Sequence, residues 1–279
     1  MDNITIPKLL QRIMQWENDI AQHVPKLERP SGYFLQFDPL DNGGYYCSPF
    51  DAIVFANTGM DGIHYSFLTD FGMHTDLEQA PILCVSPMDF GNCVRIVARN
   101  LHEFFELHFE GHEDLLMNDF KTEEDYMNHR REQENNSSEY IDKDTRNQQK
   151  QWVRERAAEQ FGFRPIENAF QTVQAARASR QRQVILPTLD GLGIISDPGN
   201  SPSEPCAPHP WHKKDITYDE LEAVGQFVRK ADAPGLFSLI RDAQHQDLLH
   251  PEYVKLLGSE LTTRGYLAEA SRLKRCMTP

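Results

Sequence analysis

The chain has 279 residues, 39% of them hydrophobic and 25% charged, with a formal net charge of −14. That length allows one large domain or two ordinary ones with a real core, and the composition excludes a disordered chain. No run approaches the roughly 18 apolar residues of a membrane span. The opening MDNITIPKLLQRIMQWENDI lacks the charged-then-apolar design of a signal peptide, so the cytoplasm is the expected location.

The first element predicted is an amphipathic helix from Ile4 to Val24, with Ile6, Leu9, Leu10, Ile13 and Met14 on one face and Pro25 and Pro30 beyond its end. Short β-type segments follow: YFLQF (33–37), YYC (45–47), AIVFA (52–56), GIHYSFLT (62–69), PILCVS (81–86) and CVRIVA (93–98). Between them, DPLDNGG, NTGMDG and PMDFGN carry the Gly, Asn, Asp and Pro that turns require. RNLHEFFELH (99–108) reads as a helix. Strands in meander order between helices predict an antiparallel sheet and an α+β fold.

From 110 to 160 the pattern is charged and helical, and 121–151 is poor in apolar residues, as in a solvated connector. A helix over 166–183 with the Arg-rich turn RASRQR and a hairpin over 184–196 complete that region. DPGNSPSEPCAPHP (197–210) has linker composition. Thr217 with Glu220 three residues on is a capping-box pattern. It opens a series of helices at 217–231, 233–244, 251–258 and 259–276. The expected organisation is thus an acidic α+β domain (1–120), a helical connector with a hairpin (121–196), a Pro-rich linker (197–213) and a helical bundle (214–279).

The acidity is concentrated. Residues 1–120 hold 18 Asp and Glu against 6 Lys and Arg, a balance of −12, whereas 161–279 hold 14 of each. Such a surface repels nucleic acid and favours a basic partner.

Asp51, Asp61, His64, Asp70, His74 and Asp76 crowd into one stretch, and carboxylates beside imidazoles can bind a metal or move protons. Strand periodicity argues against one site, because Asp61 lies in the turn before His64 and Asp70 at the far end of the strand. NTGMDG lacks the spacing of a phosphate-binding loop. Cys206, His209 and His212 form C-x2-H-x2-H, three possible zinc ligands without a second pair. There is no GxSxG elbow, no CxxC pair among the five cysteines, and no local feature that would activate a thiol. The aromatics of 33–37 and 45–46 suit core packing better than base stacking, given the local charge. No cofactor is expected.

The order of helix, PFDAIVFANTGMDGIHYSFL, PILCVSP and VARNLHEFFEL resembles the SUKH superfamily of bacterial immunity proteins and fungal cell-wall regulators, over about residues 1–110. That resemblance implies an α+β module without catalytic residues that binds another protein, in immunity members a toxin that is often a nuclease. The surface it implies would carry Asp51, Asp61, Asp70, Asp76, Glu78 and Asp89, and the acidic balance suits a basic partner. Two alternatives stay open: a metal-dependent hydrolase using Asp61, His64, Asp70 or His74, and a scaffold that binds through residues 217–279.

Overall fold

The computed structural model describes residues 5–27, 29–30, 35–38, 44–136, 143–196 and 206–275. It is an α+β protein. Helix α1 (Lys8–Ile20) precedes a meander of β1 (Gln36–Phe37), β2 (Ala52–Asn57), β3 (His64–Leu68), β4 (Ile82–Val85) and β5 (Val94–Ala98). The five strands lie in sequence order and every neighbouring pair is antiparallel. Of the expected segment 33–37 only Gln36–Phe37 is strand, and 33–34 lies outside the described residues, as does most of the expected linker. YYC is no strand: Tyr46 and Cys47 sit in a turn closed by Ser48 N–H donating to Tyr45 O at 2.9 Å.

All five residues of β3 are buried, because both faces of the sheet are covered. On one face Ile53, Phe55, Tyr65, Phe67 and Ile82 join Leu10, Ile13 and Trp16 of α1 and Phe104 and Phe105 of α2 (Leu101–Phe109). On the other, Leu68, Leu83, Val85 and Ile96 meet Ala176 of α6 (Ala169–Gln181) and Leu192. Two-sided cover explains why these antiparallel strands read as nearly continuous apolar runs. Helix α2 starts where it does because the Asn100 side chain accepts from Glu103 N–H at 2.9 Å, a cap whose loss costs about 1 kcal/mol.

Short α3 (Glu113–Met117) leads to α4 (Glu123–Asn136) and α5 (Lys143–Phe161). These are largely polar, as a solvated connector would be, yet Tyr126, Val153, Ala157 and Phe163 belong to the same buried core as the N-terminal sheet. The core therefore does not end at residue 120. A few apolar residues at wide spacing suffice to seat such helices, and their polar majority hides this from a composition count.

The hairpin β6 (Val184–Leu186) and β7 (Ile194–Ile195) leads on to α7 (Leu221–Lys230), α8 (Ala233–His245), α9 (Pro251–Thr263) and α10 (Leu267–Arg275). The Thr217–Glu220 capping box is formed. The break expected after Gly258 occurs instead at Gly265 (φ +89°), where Tyr266 N–H reaches back to Leu261 O at 2.9 Å. This is the left-handed cap that glycine favours, while Gly258 stays inside α9. No helix among the described residues is long and apolar enough to cross a membrane.

Candidate functional site

The turn after β3 reaches from the sheet into the C-terminal helices. Asp70 (φ +48°) and Phe71 (φ +56°) are consecutive non-glycine residues in left-handed backbone, a costly conformation held by surrounding contacts. It turns both side chains outward from the strand end. The Phe71 ring stacks on Phe237 of α8 at 3.8 Å with planes 4° apart. Asp70 takes a two-pronged bond from Arg180 of α6, both contacts at 2.6 Å, and its Oδ2 lies 3.2 Å from His74 Nε2.

Arg241 of α8 enters the same cluster. Its Nη2 donates to Asp51 Oδ2 at 2.6 Å, with Asp70 Oδ1 at 3.6 Å, and its Nη1 lies 3.5 Å from Asp190 Oδ2. Burial pushes the Asp51 carboxyl up, against the pull of Arg241. Burial also acts upward on Asp70, but His74, Arg180 and Arg241 outweigh it and hold that carboxyl at about 2. Two neighbouring carboxyls are thus driven apart by unequal solvation and pairing. Arg180 further donates to Leu192 O and Gly193 O, so each of its three guanidinium nitrogens is engaged.

The expected acidic surface divides accordingly. Asp51 and Asp70 cannot contribute to it, being 0% and 1% exposed: their charge holds the two halves of the molecule together. Asp61, Asp76 and Asp89 are exposed and Glu78 is half-buried. Glu78 accepts from Leu9 N–H at 2.6 Å, and Asp89 from Arg95 at 2.6 Å.

The expected hydrolase set does not converge. Asp70 and His74 are in contact, but Asp61 and His64 lie at the opposite end of β3, whose five residues span roughly 13 Å at strand rise. His64 Nδ1–H donates to Gly62 O at 2.8 Å, which leaves Nε2 to accept from Ser48 Oγ–H at 2.9 Å. Serine, imidazole and orienting carbonyl are in hydrogen-bond order, an arrangement that sequence spacing did not show. It is closed to substrate, however: His64 is fully buried and the Tyr45 ring stacks over it at 5.9 Å. Burial holds His64 in its neutral form, below the usual imidazole range.

His209 and His212 do come together, with Asp242 of α8 in place of Cys206, which packs against the C-terminal core. Asp242 Oδ2 lies 2.9 Å from His209 Nε2 and 2.7 Å from His212 Nδ1, and Oδ1 accepts from Leu189 N–H at 2.7 Å. Trp211 N–H donates to His209 Nδ1 at 3.3 Å, so the proton sits on Nε2 and points at Asp242. A metal on Nε2 would force that proton onto Nδ1, against the Trp211 N–H. The residues therefore fit a hydrogen-bonded clasp of segment 206–216 onto α8 better than a metal centre.

Beside Arg241 lies a cleft of about 180 Å³ between the sheet and α8, walled by Tyr46, Cys47, Phe90, Cys93, Gln244 and His245, with Asp190 and Arg241 also lining it. Burial, then the neighbouring Cys93 thiol, push Cys47 up to about 12, so it is no nucleophile.

Around the cleft mouth the surface is apolar. Pairing of His64 with Val85 brings the β2–β3 and β4–β5 turns to one end of the sheet. Five of the seven large apolar side chains exposed among the described residues gather there: Tyr45, Tyr46, Met60, Met88 and Phe90. Tyr45 lies against Gly62, leaving no room for a Cβ, and Tyr46 Oη donates to Pro87 O at 3.2 Å. Asp61 and Asp89, both exposed, stand beside Met60 and between Met88 and Phe90. No protein-family model and no curated protein matches this chain.

Proposed function

We propose that this chain is a non-enzymatic protein-binding module that docks a basic partner on the end of the sheet bearing Tyr45, Tyr46, Met60, Met88 and Phe90. The observation that carries the reading is the gathering of exposed aromatic and methionine side chains on two adjacent turns and on the 45–48 segment that lies against them. Aromatics and methionine are enriched at interfaces, tyrosine is among the residues that make hot spots, and contiguous apolar patches mark interaction sites. The occupant's charge follows from Asp61 and Asp89 in the patch and from residues 1–120, which hold 16 Asp and Glu against 6 Lys and Arg even with the buried Asp51 and Asp70 set aside. The resemblance to SUKH immunity proteins supports a specific form of the reading, in which the partner is a toxin of nuclease type.

The test is affinity capture from the native host at low salt, followed by titration of the purified partner. Wild type should retain a protein of basic isoelectric point, with association slowed at least tenfold at 0.5 M salt. The pair Met88→Ser and Phe90→Ser should lower affinity at least a hundredfold while leaving the fold intact. A partner bound equally by that variant, or an acidic partner indifferent to salt, would refute the proposal.

A further inference from the structure

We infer that the cleft beside α8 is a binding site for a small, neutral, planar carboxamide or lactam. Arg241 is 1% exposed and lines the cleft, yet its Nε and Nη1 have no hydrogen-bond partner. Nη2 donates to Asp51 and lies 3.6 Å from Asp70 Oδ1, while Nη1 has only a long ion-pair contact with Asp190. Buried donors are seldom left in this condition, and each one asks for an acceptor. The neighbouring Asp190 Oδ1 is taken by Thr188 Oγ1 and Leu192 N, while Oδ2 has only the long 3.5 Å contact with Arg241 Nη1. The cleft is thus lined by a donor and an acceptor, Arg241 Nη1 and Asp190 Oδ2, that pair only loosely with each other, beyond hydrogen-bond distance.

Charge selects among ligands. Asp51, Asp70 and Asp190 already face the Arg241 guanidinium, and Asp70 is further held by Arg180 and His74, so a further anion gains little there. A cation would find Asp190 but would face the guanidinium of Arg241. A carboxamide answers both groups, its carbonyl accepting from Arg241 and its N–H donating to Asp190 Oδ2. The walls supply the apolar part: Tyr46, Pro49, Phe90 and Val94 line the opening, and a volume of about 180 Å³ suits a single ring with one substituent. This inference is independent of the docking surface, since a free ligand needs only the cleft.

The test compares three isosteric probes, benzamide, benzoate and benzamidine, by saturation-transfer NMR and thermal shift on the full chain. Benzamide should bind saturably and at least tenfold more tightly than either charged probe. Asp190→Asn should weaken benzamide at least fivefold. Phe90→Ala, at a side chain 79% exposed and so safe for the fold, should weaken it about threefold. Benzoate binding as tightly as benzamide, benzamidine binding most tightly, no saturable binding of any probe, or benzamide binding unchanged in both variants would each overturn the inference.

Discussion

Asp51 and Arg241, 190 residues apart in the chain, meet at 2.6 Å with both side chains buried. The contact joins the start of β2 in the N-terminal sheet to α8. It makes the helical region part of one folded unit rather than an appendage on a linker. Arg241→Met should destabilise the protein by about 3–5 kcal/mol, because it leaves buried carboxylates unpaired. The double variant Asp51→Leu with Arg241→Met should recover a substantial part of that loss. Urea denaturation of the two single variants and the double variant checks this, and strict additivity would count against a direct pair.

Asp70 gives the cluster an acid-sensitive element. Its carboxyl is held at about 2 in the fold against roughly 3.9 when unfolded, so its stabilisation is complete above about pH 4 and is lost as pH falls through 2. The magnitude is of order 2–3 kcal/mol. Asp70→Asn should cost most near pH 6, and the gap to wild type should close as pH approaches 2. Asp51→Asn should cost less than Asp70→Asn at pH 6, because burial already favours the neutral form of Asp51. A stability series from pH 2 to 7 for the three proteins tests both statements.

Buried imidazoles act in a higher window. His108 is lowered to about 4 by burial, so the folded protein keeps it neutral while the unfolded chain takes up a proton near 6.5. Its contribution is complete above about pH 6.5 and falls as pH drops toward 4, by about 3 kcal/mol. His64 works in the same direction. Imidazole resonances followed by NMR should show His108 titrating near 4. His108→Phe should flatten the loss of stability between pH 6.5 and 4.

The Ser48–His64 bond is structural. Ser48→Ala leaves His64 Nε2 buried without a donor and should cost about 1–3 kcal/mol. Hydrolysis of activated esters should be no faster than in buffer for wild type and variant alike. Ester turnover that depends on Ser48 would overturn the closed-site interpretation.

Asp242 should behave as an acceptor for two histidines rather than as a metal ligand. Asp242→Asn deprives the buried His209 N–H of its charged partner and should cost about 2–4 kcal/mol. Equimolar Zn²⁺ should leave the wild-type melting temperature within about 1 °C, where a true site would raise it by mass action. Calorimetry with and without zinc decides it.

The amino-acid sequence by itself determined the α+β class, the order of the strands and several helix starts, such as those of α2, α8 and α9, because these depend on local rules. Short apolar runs such as AIVFA and GIHYSFLT, turn residues in NTGMDG and caps such as Asn100 and Thr217 all act within a few positions. It also limited the chemistry, since the period of β3 already separates Asp61 from Asp70. What it could not decide was which acids are surface and which are core. Asp51 and Asp70 look like Asp61 in composition, but their partners, Arg241 and Arg180, lie far along the chain. Only tertiary packing brings such pairs within bonding distance, and only the low dielectric of a closed interior gives them strength. The same packing left Arg241 with two nitrogens lacking a hydrogen bond, and placed Tyr46 and Phe90 with it around one cleft.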